Sequence, residues 1–164
     1  MGNDEYLKLD NQLCFVLYAC SRGLTRTYRP LLAELEITYP QYLVMLVLWE
    51  QDGLSVKALG ERLFLDSGTL TPLLKRIATA GLITRKRSAT DERRVNIFLT
   101  AKGKALKERA QAVPETLLCH SGLTPEAFMR LKTDLQSLLT RIRAFDPEND
   151  ACAGTSAAPA AHKS

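Results

Sequence analysis

The 164-residue sequence predicts a mainly α-helical fold with a small β-hairpin: a winged helix-turn-helix flanked by N- and C-terminal dimerisation helices. Three observations carry that expectation. Leu70, Leu73, Leu74 and Ile77 recur at the spacing of one helical face, and the pattern stops at Gly81. Two short β-prone runs follow, residues 82–87 and 95–99, joined by the polar segment 88–94. From Lys75 to Arg94 there are seven Lys/Arg against Asp91 and Glu92, net +5, while the whole chain is only +4.

A first helix is expected from about Leu7 to Arg26, apolar at Leu13, Val16, Leu17, Cys20 and Leu24, with Pro30 opening a short helix through Leu35. Thr38 caps the next helix, Pro40 sits in its first turn, and Tyr42 to Trp49 is apolar on most sides, so this helix should be the buried centre. Asp52-Gly53 ends it, and Ser55 caps a short helix to Leu63. The next helix can be capped by Ser67 or by Asp66, and Pro72 argues for a start near Thr69. After the hairpin, Thr100 caps a long helix to about Cys119, Gly122 breaks it, and Thr124-Pro125-Glu126 opens a last helix to about Phe145. The expected domain is therefore 1–145 with the reader at 55–99, and the Pro/Ala-rich stretch 146–164 reads as a disordered tail.

The reader helix has a chemistry on its other side. At about 100° per residue, the face opposite the apolar stripe carries Gly68, Thr71, Pro72, Lys75, Arg76 and Thr79. Cations for phosphate or guanine and hydroxyls for base edges suit the major groove of duplex DNA. The candidate DNA-binding residues are Ser67, Thr69, Thr71, Lys75 and Arg76 on the helix, with Arg85, Asp91, Arg93 and Arg94 in the wing. In the wing, Asp91 is expected to orient an arginine for the minor groove. A charge run alone is ordinarily a solvated turn; directly behind such a helix it reads as a phosphate footprint.

Composition narrows the class. Hydrophobic residues make up 46%, enough for a core, and no apolar run reaches membrane-span length. The N-terminal residues lack the order of a secretory signal, and the four cysteines are expected to be reduced thiols in a cytoplasm. No CxxC or Cys/His pair has zinc spacing, so no metal or other cofactor is expected. Leu13, Leu17 and Leu24, with Leu131, Leu135, Leu138, Leu139 and Ile142, form stripes that suit pairing with a second copy on a pseudo-palindromic DNA site.

Three separated segments then match a family. LDNQLCFVLYACSR, TYPQYLVMLVLWE and LDSGTLTPLLKR, with DERR in the wing, resemble the MarR family of bacterial regulators, and within it the organic-hydroperoxide-sensing OhrR repressors of the two-cysteine type. The resemblance spans about Leu9 to Phe145 and implies a homodimeric repressor that leaves its operator when one cysteine is oxidised. Cys14 matches the reactive cysteine; by residue type alone it would be a small buried hydrophobe. Its surroundings are less bland, since Tyr18, Ser21, Thr25 and Tyr28 continue a polar stripe, and a tyrosine hydroxyl donating to sulfur favours thiolate.

The resemblance further implies that Tyr28 and Tyr39 contact the sulfur, and that a Cys14 sulfenate condenses with Cys119 of the other subunit. Cys14 and Tyr28 are roughly 21 Å apart along a straight helix, so one site containing both needs the partner subunit or a sharply folded chain. Cys20 is expected to be buried and inert, Cys152 irrelevant in the tail, and His120 a surface residue. Two rival readings remain: a repressor gated by a small molecule at the dimer interface, and a thiol peroxidase using the same Cys14. The non-enzymatic reading is preferred because a peroxidase gives the basic wing no role.

Overall fold

The computed structural model describes residues 3–87 and 94–145. Two short 3-10 turns, Asn3–Leu7 and Leu9–Asn11, precede α1 (Leu13–Ala33) and α2 (Tyr39–Glu50). The reader follows as β1 (Leu54–Ser55), α3 (Val56–Leu63), α4 (Ser67–Thr79), β2 (Ile83–Arg87) and β3 (Val95–Leu99). The chain then forms α5 (Ala101–Ala110), α6 (Ala112–Ser121) and α7 (Pro125–Ala144). The described residues fall into two compact units, one up to Gly122 and one from Leu123. The expected tail at 146–164, with Cys152, and wing positions 88–93 lie outside the described residues.

The core of the first unit is built on α2, as its all-round apolar sequence requires: Tyr42, Val44, Met45 and Leu48 are fully buried. Leu59 of α3, the α4 stripe Leu70, Leu74 and Ile77, and Ile97 of β3 close over it. The main-chain N–H of Thr38 donates to Gln41 Oε1 at 2.8 Å, the reciprocal half of a capping box. The sheet is antiparallel in the order β1-β3-β2, with Arg85 opposite Ile97 and Arg87 opposite Val95. The two-residue β1, too short to carry a pattern, was not foreseen.

Proline explains most departures from the expected boundaries. Pro30 does not open a new helix; it lies within the last turn of one continuous α1, exposed at a point where its missing N–H strands a solvent-side carbonyl only. Pro72 likewise does not delay α4. The helix starts at Ser67 because the Asp66 carboxylate, not Ser67, caps it, accepting from Thr69 N at 2.8 Å and from the Thr69 hydroxyl at 2.9 Å. Conversely, the long helix expected after Thr100 is two. Pro114 has no N–H to give the Ala110 carbonyl, and the helix is interrupted at Gln111, whose backbone keeps a helical conformation, before resuming as α6.

The wing is fastened at its root. The Thr100 hydroxyl donates to Gly81 O at 2.7 Å while accepting from Gly103 N at 3.0 Å, so it caps α5 and anchors the α4–β2 turn together. Gly103 packs so closely there that a Cβ would stand 2.1 Å from Leu82 O. Trp49 Nε1 donates to Gly103 O at 2.9 Å, which joins α2 to the same junction.

Candidate DNA-reading surface and thiol site

The α4 stripe buries Leu70, Leu74 and Ile77, so the opposite face must point outward, and Ser67, Thr69, Lys75 and Arg76 are all exposed. Thr71 is half-buried where α4 meets the wing. Its side chain lines a groove of about 360 Å³ together with Lys57 of α3, Arg85 of β2 and Arg94 just before β3. Three of the expected DNA residues, Thr71, Arg85 and Arg94, are thus brought to one place, and Lys57 joins them although the sequence reading did not single it out. Thr69 has a second task, since its hydroxyl is held by Asp66. The same bonds hold the Asp66 carboxyl below the usual carboxylate range, the Thr69 N–H foremost. Asp91 and Arg93 lie outside the described residues.

The wing strand explains its own charge. In β2 only Ile83 is buried; Thr84, Arg85, Lys86 and Arg87 are exposed. Lys86 Nζ stands 5.5 Å from the Phe98 ring centroid, a cation–π contact that sets its ammonium over the ring.

The thiol residues lie elsewhere. Cys14 is the second residue of α1 and is exposed. First-turn N–H groups have no intrahelical acceptor, and this end of the helix dipole is positive. Tyr18, one turn on, accepts a 2.7 Å hydrogen bond from Arg22 Nη1, and the guanidinium carbon lies 5.5 Å from its ring centroid. Cys119, near the end of α6, is also exposed. Cys20 is exposed too, which corrects the expectation that it is buried: the apolar stripe of α1 on which it lies is itself largely uncovered, with Leu13, Val16 and Leu24 exposed.

Tyr28 and Tyr39 come together. Their ring centroids are 4.7 Å apart and tilted by 40°, and Tyr42 is 5.9 Å from Tyr28. Burial pushes the Tyr28 hydroxyl up to about 12, with Tyr39 and Tyr42 adding to the shift. Burial also raises Tyr39. Both phenols therefore remain protonated donors at any ordinary pH. They do not meet Cys14 of the same chain: α1 is uninterrupted, so Cys14 and Tyr28 stand roughly 21 Å apart along its axis. The sharply folded alternative is thereby removed.

Among the described residues, no cluster of three His, Cys, Asp or Glu could hold a metal ion, and no helix is long and apolar enough to cross a membrane.

Comparison with known proteins adds an independent line. The family described as transcriptional regulator SarA/Rot matches residues 26–110. An organic hydroperoxide resistance transcriptional regulator of Bacillus subtilis is 56% identical over 135 residues, 82% of this chain and 92% of the relative. The regulator TtmR of Methylorubrum extorquens is 48% identical over 99% of this chain and 80% of its own. Among solved structures, reduced AbfR bound to DNA superposes with a TM-score of 0.70 at 36% identity, over 87% of this chain and 99% of that one. The disulfide form of AbfR gives 0.58 at 39% identity, over 83% and 96%.

Proposed function

The chain belongs to the MarR/OhrR-type family of transcriptional regulators, and from that premise we propose that it is a homodimeric repressor that releases its operator when an organic hydroperoxide oxidises Cys14. The observation that carries this reading is the separation between Cys14 in the first turn of α1 and the stacked, protonated Tyr28–Tyr39 pair near its other end. Donors so far from the thiol of their own chain serve the thiol of a second copy. The exposed apolar residues Leu13, Val16 and Leu24 of α1 are a surface such a copy would cover, and Leu131, Leu135 and Ile142 of α7 are another. The sensing site then straddles the interface whose geometry sets the spacing of the two readers.

The chemistry has two balanced steps. The Cys14 thiolate attacks a peroxide oxygen; the S–O bond forms, the O–O bond breaks, and the alkoxide leaves as the alcohol after taking a proton. The sulfur is oxidised by two electrons and the peroxide reduced by two. The thiolate of Cys119 from the second copy then attacks the sulfenic sulfur, forming S–S and releasing water after protonation. Tyr28 and Tyr39 donate to the thiolate, and Tyr18, fixed by Arg22, lies on the same helix face as Cys14. The reduced dimer holds DNA through Ser67, Thr69, Thr71, Lys75 and Arg76 and through Arg85, Asp91, Arg93 and Arg94 of the wing.

Non-reducing electrophoresis of the reduced protein treated with cumene hydroperoxide tests this reading. A covalent dimer that disappears in Cys119→Ser is expected, together with loss of operator binding by fluorescence anisotropy. A dimer that persists in Cys119→Ser assigns the bond to Cys20 or Cys152. Continued peroxide consumption beyond one equivalent per subunit in the presence of a thiol would make the chain a peroxidase instead.

A further inference from the structure

Helix α5 carries four basic side chains, Lys102, Lys104, Lys107 and Arg109, within its ten residues. All four reach the C-terminal ends of other helices. Lys102 Nζ donates to Ala80 O, at the C-cap of the reader helix α4, at 3.0 Å. Lys107 Nζ donates to Trp49 O, in the last turn of α2, at 3.3 Å. Lys104 Nζ stands 3.9 Å from the carboxylate of Asp52, just past that same end. Arg109 Nη2 donates to Glu34 O, at the C-cap of α1, at 2.5 Å. The last carbonyls of a helix have no intrahelical donor and stand at its negative pole, so cations settle there. One short helix thus holds the ends of α1, α2 and α4 at once.

We propose that Arg109 and Lys102 are positioning residues that pass the state of the thiol site to the DNA reader. The inference rests on the redox-repressor reading above and deepens it. Arg109 ties α5 to α1, the helix that carries Cys14 and Tyr28. Lys102 ties α5 to the end of α4, the helix that carries the reading face. The two ties lie about 10 Å apart along a single α-helix, which carries a displacement without bending at this length. Lys104 and Lys107 seat the same helix against α2, the buried centre of the fold. At its start stands the wing root, where Thr100 caps α5 and donates to Gly81 O. The bonds made by Lys102, Lys107 and Arg109 are exposed, and exposed charged contacts add little to stability. Their consequence is where the helix ends lie.

Proximity alone does not show coupling; a changed linkage between the two sites does. The test measures operator affinity by fluorescence anisotropy before and after one equivalent of cumene hydroperoxide per subunit, with thiol loss followed in the same samples. Full-length wild type, Arg109→Met, Arg109→Lys and Lys102→Met are compared, since methionine keeps much of the apolar stem and removes the donor. Arg109→Met and Lys102→Met are expected to lose the thiol at the wild-type rate and to bind operator like wild type when reduced. Their ratio of oxidised to reduced Kd should shrink at least about fivefold, the low end of allosteric coupling. Arg109→Lys should restore the wild-type ratio. A wild-type ratio in either methionine variant overturns the assignment. So does an equal loss of affinity in both redox states with a lower urea midpoint, the mark of a contact that only supports the fold. If wild type itself keeps its operator after oxidation, the redox reading fails and the α5 link falls with it. Release of wild type and of both methionine variants alike removes the α5 link alone.

Discussion

The rings of Tyr28 and Tyr39 lie 4.7 Å apart although they belong to different helices, and both hydroxyls are held in the protonated form by burial. The pair is part of a longer contact series. Tyr42 stacks near Tyr28, the Trp49 ring is 6.3 Å from Tyr42, and Trp49 donates to Gly103 beside the root of the wing. An event at the tyrosines is thus one packed aromatic row away from the DNA-reading hairpin.

Loss of either hydroxyl should cost the sensor and not the reader. In the proposed site, Tyr28→Phe and Tyr39→Phe each remove a donor to the Cys14 thiolate, an interaction worth about 1.5–3 kcal/mol. Oxidation of Cys14 by cumene hydroperoxide should slow by at least about tenfold in each, while the reduced variants keep operator affinity. Stopped-flow measurement of thiol loss checks this. Wild-type rates in both variants would remove the tyrosines from the site.

The raised Tyr28 pKa has a pH consequence of fixed sign. A phenol at about 12 in the folded chain and near 10 when unfolded keeps its proton longer in the native state. Its contribution to stability is complete below pH 10 and is lost as pH rises from about 10 to 12. Tyrosinate absorbance should therefore show late-titrating phenols before alkaline unfolding, and Tyr28→Phe should lose the last of these steps. A wild-type titration with all five tyrosines ionising together near 10 contradicts the packing of this pair.

The wing root should be intolerant of volume. Gly103→Ala puts a methyl group 2.1 Å from Leu82 O, so the backbone of α5 or of the α4–β2 turn must move. Overpacking of this kind costs about 1–3 kcal/mol. Urea unfolding followed by Trp49, the single tryptophan, should show it as a lower midpoint. An unchanged midpoint would mean the junction is looser than described.

The proposed base reading by α4 is tested at Arg76. Arg76→Ala should lower affinity for the operator more than for an unrelated duplex, by about 1–3 kcal/mol if it reads a guanine edge. Equal weakening of the two duplexes would make Arg76 a phosphate contact.

Much of this architecture was legible in the sequence because the reader is locally determined. The α4 stripe, the Thr38, Ser55, Thr100 and Thr124 caps and the two hairpin strands are short-range signals, and each helix begins where its cap stands. Pro30 and Pro72 were misread, and Pro114 passed over, because a missing N–H has different effects by position: tolerated within α1 and α4, but accompanying the interruption between α5 and α6. Lys57 escaped because charge was summed along a contiguous window, whereas the groove collects residues from three elements. The stacking of Tyr28 on Tyr39 could not be read from spacing, since it depends on how α1 crosses α2. Cys20 was misplaced for a related reason: an apolar stripe in sequence does not say whether its own chain or another one covers it.

The most direct test of the central claim is a peroxide titration of operator binding by wild type and Cys14→Ser at equal protein concentration. About one equivalent of cumene hydroperoxide per subunit should release the wild-type protein from DNA and thiol treatment should restore binding, while Cys14→Ser stays bound throughout. Release of Cys14→Ser over the same titration would contradict it.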